Sequence, residues 1–98
     1  MVQIDFAWSQ RKNLINQKKH GVSFEEAQTV FLDEKALLLS DPDHSDKEER
    51  FILLGLSSGL RLLIVCHFYL ESDEMIRIIS ARKVTRKEQK QYWERWSR

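Results

Sequence analysis

The sequence predicts an α+β fold in which three helices pack on one antiparallel β-meander. Helix-capping signals lie towards both ends of the chain, and strand-like segments separated by short polar turns fill its middle. The chain has 98 residues, 42% of them hydrophobic, with one proline and three glycines. This size and composition predict a single ordered domain, residues 1–98, with its elements in the order β-α-α-β-β-β-β-α.

The first predicted elements are a strand and a helix. Apolar and polar residues alternate over residues 2–6, as in a half-buried strand. Ser9 can cap a helix that ends at His20, and Gly21 can supply its left-handed stop. The thin apolar side of this helix is predicted to consist of Leu14 and Ile15.

A second helix and four strands are predicted to follow. The segment from Ser23 to Glu26 matches a capping box, which predicts a helix start. The buried stripe of this helix is predicted to consist of Phe24, Ala27, Val30 and Phe31. The strands are predicted at residues 36–40, 50–56, 60–69 and 75–82. The turn Ser57-Ser58-Gly59 is a hairpin signal, so consecutive strands should pair as an antiparallel meander.

The last predicted element is a helix that opens with a second capping box, from Thr85 to Glu88. Residues 77–98 hold eight basic and two acidic residues, whereas the rest of the chain holds eight basic and thirteen acidic ones. The charge is therefore +6 in this part and −5 elsewhere, which indicates either a localised anion-binding surface or a solvated helix face. Gln89, Tyr92, Trp93 and Trp96 fall at helical spacing on one face of this helix, with charged residues on the others.

Composition also excludes several classes of protein. The longest apolar run, from Leu62 to Cys66, is far too short to span a bilayer, and no membrane contact is expected. The first residues lack the basic and apolar regions of a signal peptide. Cys66 is the one cysteine and cannot form a disulfide within the chain, which favours a small buried residue in a reducing cytoplasm.

Two arginines interrupt the apolar pattern of the predicted strand at residues 75–82. Strict alternation predicts that Arg77 shares one face of the sheet with Ala81 and that Arg82 shares the other with Ser80. Arginine is a costly choice on a strand that also builds a core. We therefore expect an anionic ligand or partner at this strand.

Titratable groups on neighbouring elements could meet these arginines near one end of the sheet. Glu48 and Arg50 are two residues apart and should point the same way, although a salt-bridge ladder is an alternative. His67 could be a satisfied core group or a general base, and His20 at a helix end could interact with the helix dipole. His44 lies in an acidic turn without the ligand spacing of a calcium or zinc site, so it is predicted to be solvated.

The chain resembles the BrnT family of toxins from Phe6 to about Tyr92, nearly its whole length. One departure is Ser9, which follows Trp8 where family members often carry Asp; both residue types cap helices. The resemblance rests on two long sequence motifs and several shorter ones, which occur in the order that the family shows. They are Phe6-Ala7-Trp8, Asn16, Lys19-His20-Gly21-Val22-Ser23-Phe24-Glu25-Glu26-Ala27, Phe31-Leu32-Asp33, Glu48-Glu49-Arg50, Gly55 and Arg77-Ile78-Ile79-Ser80-Ala81-Arg82-Lys83.

The resemblance implies a ribonuclease toxin of a type II toxin–antitoxin pair with a RelE-like fold. It also implies a BrnA-like antitoxin with a ribbon-helix-helix DNA-binding part. The complex would repress its own operon, so operator DNA would be contacted only through the antitoxin.

RNA cleavage without a metal or other cofactor requires a base, an acid, and cations for the phosphate. Arginine suits the phosphate because its fork is planar and always charged. The candidates for phosphate binding are Arg50, Arg77 and Arg82. The candidates for proton transfer, among which the sequence does not decide, are His67, His20 and Glu48. Further RNA contacts are expected from Lys19, Lys83 and Arg86.

An alternative from another class is a non-catalytic module that binds nucleic acid or protein through its basic C-terminal helix. Under this alternative, the aromatic stripe of Tyr92, Trp93 and Trp96 would be the contact surface. The spacing of these aromatic residues matches one buried helical face, so the sequence favours a core role for them.

Overall fold

A computed structural model describes residues 4–41, 49–70 and 74–96 and confirms the α+β class and the predicted element order. The strands are β1 (Asp5–Ala7), β2 (Leu37–Ser40), β3 (Phe51–Leu56), β4 (Leu62–Leu70) and β5 (Met75–Lys83). The helices are α1 (Gln10–His20), α2 (Phe24–Gln28), followed by a 3₁₀ turn at Thr29–Leu32, and α3 (Arg86–Trp96). Val2, predicted to begin the first strand, lies outside the described residues.

The five strands form one mixed sheet in the order β1-β5-β4-β3-β2. Strands β2 to β5 are the predicted antiparallel meander. The prediction of a wholly antiparallel sheet is wrong for β1, which pairs with β5 in parallel, with Asp5 beside Met75 and Ala7 beside Arg77. A tight hairpin forces antiparallel pairing only on consecutive strands, and β1 is separated from β5 by most of the chain.

The inner face of the sheet packs against α2 and the segments beside it. We define this face by Leu53, Leu63, Val65, His67, Ile76, Ile78 and Ala81. Four buried residues pack on it, and three of them belong to the predicted stripe: Val22, Phe24, Ala27 and Val30. This is the main core of the protein.

The outer face is the opposite side of the sheet. We define it by Ile52, Leu54, Ile64, Cys66, Phe68, Arg77, Ser80 and Arg82. Helix α3 covers part of it through Tyr92, which is fully buried against Leu54 and Ile64. The predicted aromatic stripe is therefore correct for Tyr92 but wrong for Trp93 and Trp96, which are 45% and 51% exposed. A short strand such as β2 leaves too little sheet to cover three large rings.

Asp33 fixes the position of α3 against the sheet. Its carboxylate accepts hydrogen bonds from the Tyr92 hydroxyl at 2.6 Å and from the backbone N–H groups of Leu56 at 2.8 Å and Lys35 at 2.9 Å. Burial opposes ionisation of this carboxyl, but the hydrogen bonds outweigh burial and hold the pKa of Asp33 below its usual range. Gly55 leaves room for this turn, since a Cβ there would lie 3.1 Å from Asp33 Oδ2.

Helix α1 presents asparagines rather than its apolar residues to the rest of the protein. Asn13 and Asn16 are buried, whereas Leu14 and Ile15 are 57% and 52% exposed, so the predicted apolar side is wrong. Asn16 Nδ2 donates to the carbonyls of Val22 and Ala81, both at 2.8 Å. The buried neighbours of α1 are thus backbone groups that need hydrogen-bond partners, which an aliphatic side chain could not supply.

A β-bulge in β5 changes which residues share a face. Cys66 pairs with Ser80 but His67 pairs with Ile78, so Ile79 is an extra residue without a partner on β4. The predicted division of β5 is consequently wrong: Arg77 and Arg82, five residues apart, both lie on the outer face, and Ala81 turns into the core. The bulge brings the two arginines to the same side of the sheet.

Candidate active site

The part of the outer face beyond α3 forms an open cavity of about 390 Å³. Two of the predicted phosphate-binding arginines, Arg50 and Arg82, contribute to its wall. Among the residues that the structure describes, the lining consists of Lys12, Asp41, Arg50, Ile52, Ile64, Cys66, Ile79, Ser80 and Arg82. Cationic and hydroxyl groups thus surround a floor of aliphatic strand residues, an arrangement that can bind an anion through directed hydrogen bonds.

Arg82 is held in place by the first turn of α3. Its two terminal nitrogens each donate to one carboxylate oxygen of Glu88 at 2.9 Å, a bidentate pair. Glu88 also accepts from the N–H of Thr85 at 2.8 Å, which confirms the predicted capping box. The hydrogen bonds from the Arg82 guanidinium lower the pKa of Glu88 most. Burial raises this pKa and the bond from Thr85 lowers it further, so that it falls to about 2. Arg82 therefore reaches the cavity as a pre-positioned cation.

Cys66 and Asp41 lie together in the cavity wall. The Cys66 thiol donates to Asp41 Oδ2 at 3.6 Å, and the N–H of Asp41 donates to the carbonyl of Arg50 at 2.9 Å. Burial, and then the negative charge of Asp41, raises the pKa of Cys66 to about 11. At neutral pH the sulfur is a protonated thiol and a poor nucleophile. Of the described residues that line the cavity, Asp41 is the one with a carboxylate.

His67 lies on the inner face, away from the arginines. It is fully buried, with Nδ1 at 3.1 Å from the Val65 carbonyl and Nε2 at 3.4 Å from the Tyr69 hydroxyl. Its ring packs edge-on against Phe31, with the ring centroids 4.8 Å apart. Burial lowers the pKa of His67, so the ring stays neutral at physiological pH. Of the two roles that the sequence left open, the geometry supports a satisfied core histidine.

The remaining predicted site residues lie around the cavity or away from it. Arg77 is on the outer face but does not line the cavity, and its side chain forms no hydrogen bond or ion pair within residues 4–41, 49–70 and 74–96. His20 ends α1 next to the left-handed Gly21. Glu48 and His44 lie outside the described residues. The predicted RNA contacts Lys19, Lys83 and Arg86 are exposed.

Sequence reasoning missed four polar residues of the cavity wall. Lys12 belongs to a helix on the other side of β5, Asp41 was assigned to a turn, and Cys66 and Ser80 looked like ordinary strand residues. The alternation of β4 with Ile64 and Cys66 on one side was a usable signal for Cys66. Lys12 had no such signal, because a lysine on an exposed helix position is common.

Among the residues that the structure describes, no group of three or more His, Cys, Asp or Glu side chains is arranged to hold a metal ion. None of the described helices is long and apolar enough to cross a membrane.

The fold and the cavity define a small α+β domain with a cationic site on one open sheet face. A family model described as "Ribonuclease toxin, BrnT, of type II toxin-antitoxin system" matches residues 8–88. This match covers most of the sequence, and the chain belongs to the BrnT family of type II toxin–antitoxin ribonuclease toxins.

A solved structure agrees with that membership at the level of the fold. The 1.1 Å crystal structure of the Brucella abortus ribonuclease toxin BrnT superposes with a TM-score of 0.65 and 21% sequence identity, covering 86% of this chain and 100% of that one. The fold is accordingly that of a BrnT toxin, and the expected description "RelE-like" is less accurate. No curated protein sequence matches the chain.

Proposed function

We propose that this chain is a metal-independent endoribonuclease that cleaves RNA at the outer-face cavity and thereby inhibits translation and growth. The observation that carries the proposal is the convergence of Arg50 and Arg82 on one open cavity. Family membership supplies the RNA substrate class. The bulge at Ile79 supports the proposal further, because it turns Arg77 to the same face as Arg82.

The proposed reaction is an internal transfer at phosphorus. A base takes the proton of the 2′-hydroxyl, the 2′-oxygen attacks the adjacent phosphorus, and the 5′-oxygen leaves with a proton from an acid. The products are a 2′,3′-cyclic phosphate and a free 5′-hydroxyl. Arg50 and Arg82 neutralise the charge that grows on the phosphoryl oxygens, with Arg77 binding the neighbouring backbone.

A carboxylate is the base that we propose. Asp41 lines the cavity, and Glu48 is two residues before Arg50 in the sequence. His67 is on the opposite face of the sheet, and His20 does not line the cavity. Substitution of either histidine should therefore leave the shape of the pH profile of cleavage unchanged.

The test is cleavage of single-stranded RNA by purified protein in excess EDTA, with the ends of the products identified. We expect full activity and 2′,3′-cyclic phosphate ends. Arg50→Gln and Arg82→Gln should each lose at least about tenfold in rate, whereas the matched control Arg11→Gln, an exposed arginine on α1, should not. Loss of all activity in EDTA with recovery in magnesium would contradict the mechanism.

The family also indicates a protein partner, since a type II toxin is paired with an antitoxin. We propose that this partner is a BrnA-like protein with a ribbon-helix-helix part and that the complex contacts operator DNA only through it. Both proteins would act in the cytoplasm. Co-expression with the neighbouring reading frame, followed by purification of a complex and operator binding with and without the toxin, tests this.

One observation favours the second candidate, a binding module without catalysis. Trp93 and Trp96 are half-exposed, with their ring centroids 5.9 Å apart, and Lys35 Nζ lies 5.8 Å from the Trp96 ring. Exposed aromatic residues beside cations are typical of binding surfaces. The two candidates separate directly: a binding module would retain RNA or a protein partner but give no cleavage products.

A further inference from the structure

The first turn of α1 reaches the cavity with one side chain, that of Lys12. Lys12 is exposed, and its backbone N–H donates to the cap Ser9 Oγ at 3.2 Å. Within the described parts of the chain, its ammonium group forms no hydrogen bond or ion pair. Lys12 is thus a cation at a cavity that already holds Arg50 and Arg82, with its bonding capacity unused.

The anchoring of α1 explains how a helix residue reaches the far side of β5. Asn16, one helical turn after Lys12 and on the same side of α1, accepts from the Ala81 N–H at 3.1 Å and donates to the Ala81 carbonyl at 2.8 Å. The Asn16 amide thus occupies the position that a neighbouring strand would take. It fixes α1 against the open edge of β5.

That edge is open because β1 is short. β1 pairs with β5 only from Met75 to Arg77, and among the described residues no strand continues beside Ile79 and Ser80. A side chain that points from α1 towards this stretch can pass the edge of the sheet. Lys12 therefore shares the cavity wall with Ile79 and Ser80.

The charges of the cavity indicate what Lys12 binds. Within residues 4–41, 49–70 and 74–96, its lining holds three cationic side chains and one carboxylate, that of Asp41. Glu88, the carboxylate that balances Arg82, belongs to α3 and lies outside the lining. We propose that Lys12 binds a backbone phosphate of single-stranded RNA next to the phosphate held by the arginines. This role rests on the proposed ribonuclease function and extends its site from the sheet to α1.

Binding of a 2′-O-methyl RNA oligonucleotide tests the role, since this probe cannot be cleaved through its 2′-oxygen. Fluorescence anisotropy at several salt concentrations would be measured for the wild type, Lys12→Gln, Lys12→Arg and the control Lys18→Gln, an exposed lysine elsewhere on α1. We expect Lys12→Gln to weaken binding about three- to tenfold and to lower the slope of log affinity against log salt by about 0.7. Lys12→Arg should restore the affinity to near that of the wild type.

The outcomes separate this proposal from the proposed function. If the wild type cleaves RNA but Lys12→Gln and Lys18→Gln bind the probe equally, the role of Lys12 is overturned and the ribonuclease stands. If Lys12→Gln binds weakly and the wild type never cleaves, Lys12 is an RNA-binding residue of a module without catalysis. If the wild type neither binds nor cleaves, both proposals fail. Circular dichroism of each variant verifies that it is folded.

Discussion

Polar residues on the two sides of the sheet differ in their exposure to solvent. On the inner side, Asn13, Asn16 and His67 are buried and hydrogen-bonded to backbone or side-chain partners. On the outer side, Arg50 and Arg82 line a cavity open to solvent. A buried polar group must be satisfied within the protein, whereas a cation at an open cavity can also be reached by a ligand from solvent. The first kind stabilises the fold and the second kind is available for binding.

The largest expected effect is on the inner side, at Asn16. Asn16→Ala leaves the Ala81 N–H and the carbonyls of Val22 and Ala81 without their partner, so the free energy of unfolding should fall by about 2–4 kcal/mol. Urea unfolding measures this loss. Leu14→Ala, at a 57% exposed position of the same helix, is the control and should change little. A loss below about 1 kcal/mol at Asn16 would mean that water replaces the amide.

His67→Gln is expected to have the next largest effect, again on stability. The ring is buried and packed, so its loss should cost about 1–3 kcal/mol. Because burial lowers the pKa of His67, the wild type should lose stability as the pH falls below about 6.5, where the unfolded chain takes up a proton first. The variant should lack this part of the dependence on pH.

The same variant sharpens the comparison of the two faces. Unfolding in urea at pH 7.5 and pH 5.5 reports stability, and the pH profile of RNA cleavage reports function. We expect the shape of the cleavage profile to survive the substitution, since His67 lies on the face opposite the cavity. If the cleavage rate of His67→Gln no longer rises with pH as that of the wild type does, His67 is the general base and the proposed carboxylate is not.

Arg77→Ala should differ from the two preceding variants, because we expect it to lower activity and to leave stability almost unchanged. The Arg77 side chain forms no hydrogen bond or ion pair within the described residues, but it shares the outer face with Arg82. We expect growth arrest on induced expression to be abolished and RNA cleavage to fall by at least about tenfold. Circular dichroism and thermal unfolding should match the wild type. A variant that unfolds would make Arg77 a structural residue instead.

The smallest expected effect is at Glu88, where the two roles overlap. Glu88→Gln should lower the free energy of unfolding at pH 7 by about 0.5–1 kcal/mol, because a partly exposed ion pair is screened by solvent. Since the folded pKa of Glu88 is about 2, below its unfolded value, this contribution is present above about pH 4.3 and is lost as the pH falls towards 2.

A second readout of Glu88→Gln concerns the cavity. Without its carboxylate partner, Arg82 should bind single-stranded RNA more tightly, by about two- to threefold. Urea unfolding at pH 7 and pH 3 and RNA binding at pH 7 measure the two effects. Equal RNA affinity of the wild type and Glu88→Gln would show that the ion pair with Glu88 does not weaken RNA binding by Arg82.

Local features of the fold were predictable from the sequence. Both predicted caps form, with Ser23 Oγ accepting from the Glu26 N–H at 3.0 Å and Thr85 Oγ1 from the Glu88 N–H at 3.2 Å. The reciprocal bond of a full capping box joins Thr85 N–H to Glu88, whereas the Glu26 carboxylate binds Ser57 and Arg61 instead. Such caps span three residues, so a short window of sequence contains both partners. The hairpin at residues 57–60 was predictable for the same reason.

Features that depend on distant backbone were not predictable. Asn16 is buried because its partner Ala81 lies 65 positions away at an open strand edge, and no periodicity of α1 reveals that. The bulge at Ile79 contains no glycine, the residue that would have indicated a bulge in the sequence. For the candidate site, the sequence identified Arg50, Arg77 and Arg82 as residues of interest, but the common face of Arg77 and Arg82 follows from the bulge alone.

The bulge also determines which kinds of genetic change this strand can absorb. Deleting one codon at position 79 would restore a regular ladder and leave the pairs of residues 80–83 with β4 unchanged. Arg82 would stay on the outer face beside Arg77 and Ala81 in the core, so the strand can lose this one residue without exchanging its faces. An exchange of Ile79 for another aliphatic residue keeps the count of residues and both faces. At this position the strand therefore tolerates the loss of a residue as well as its replacement, because position 79 has no partner on β4.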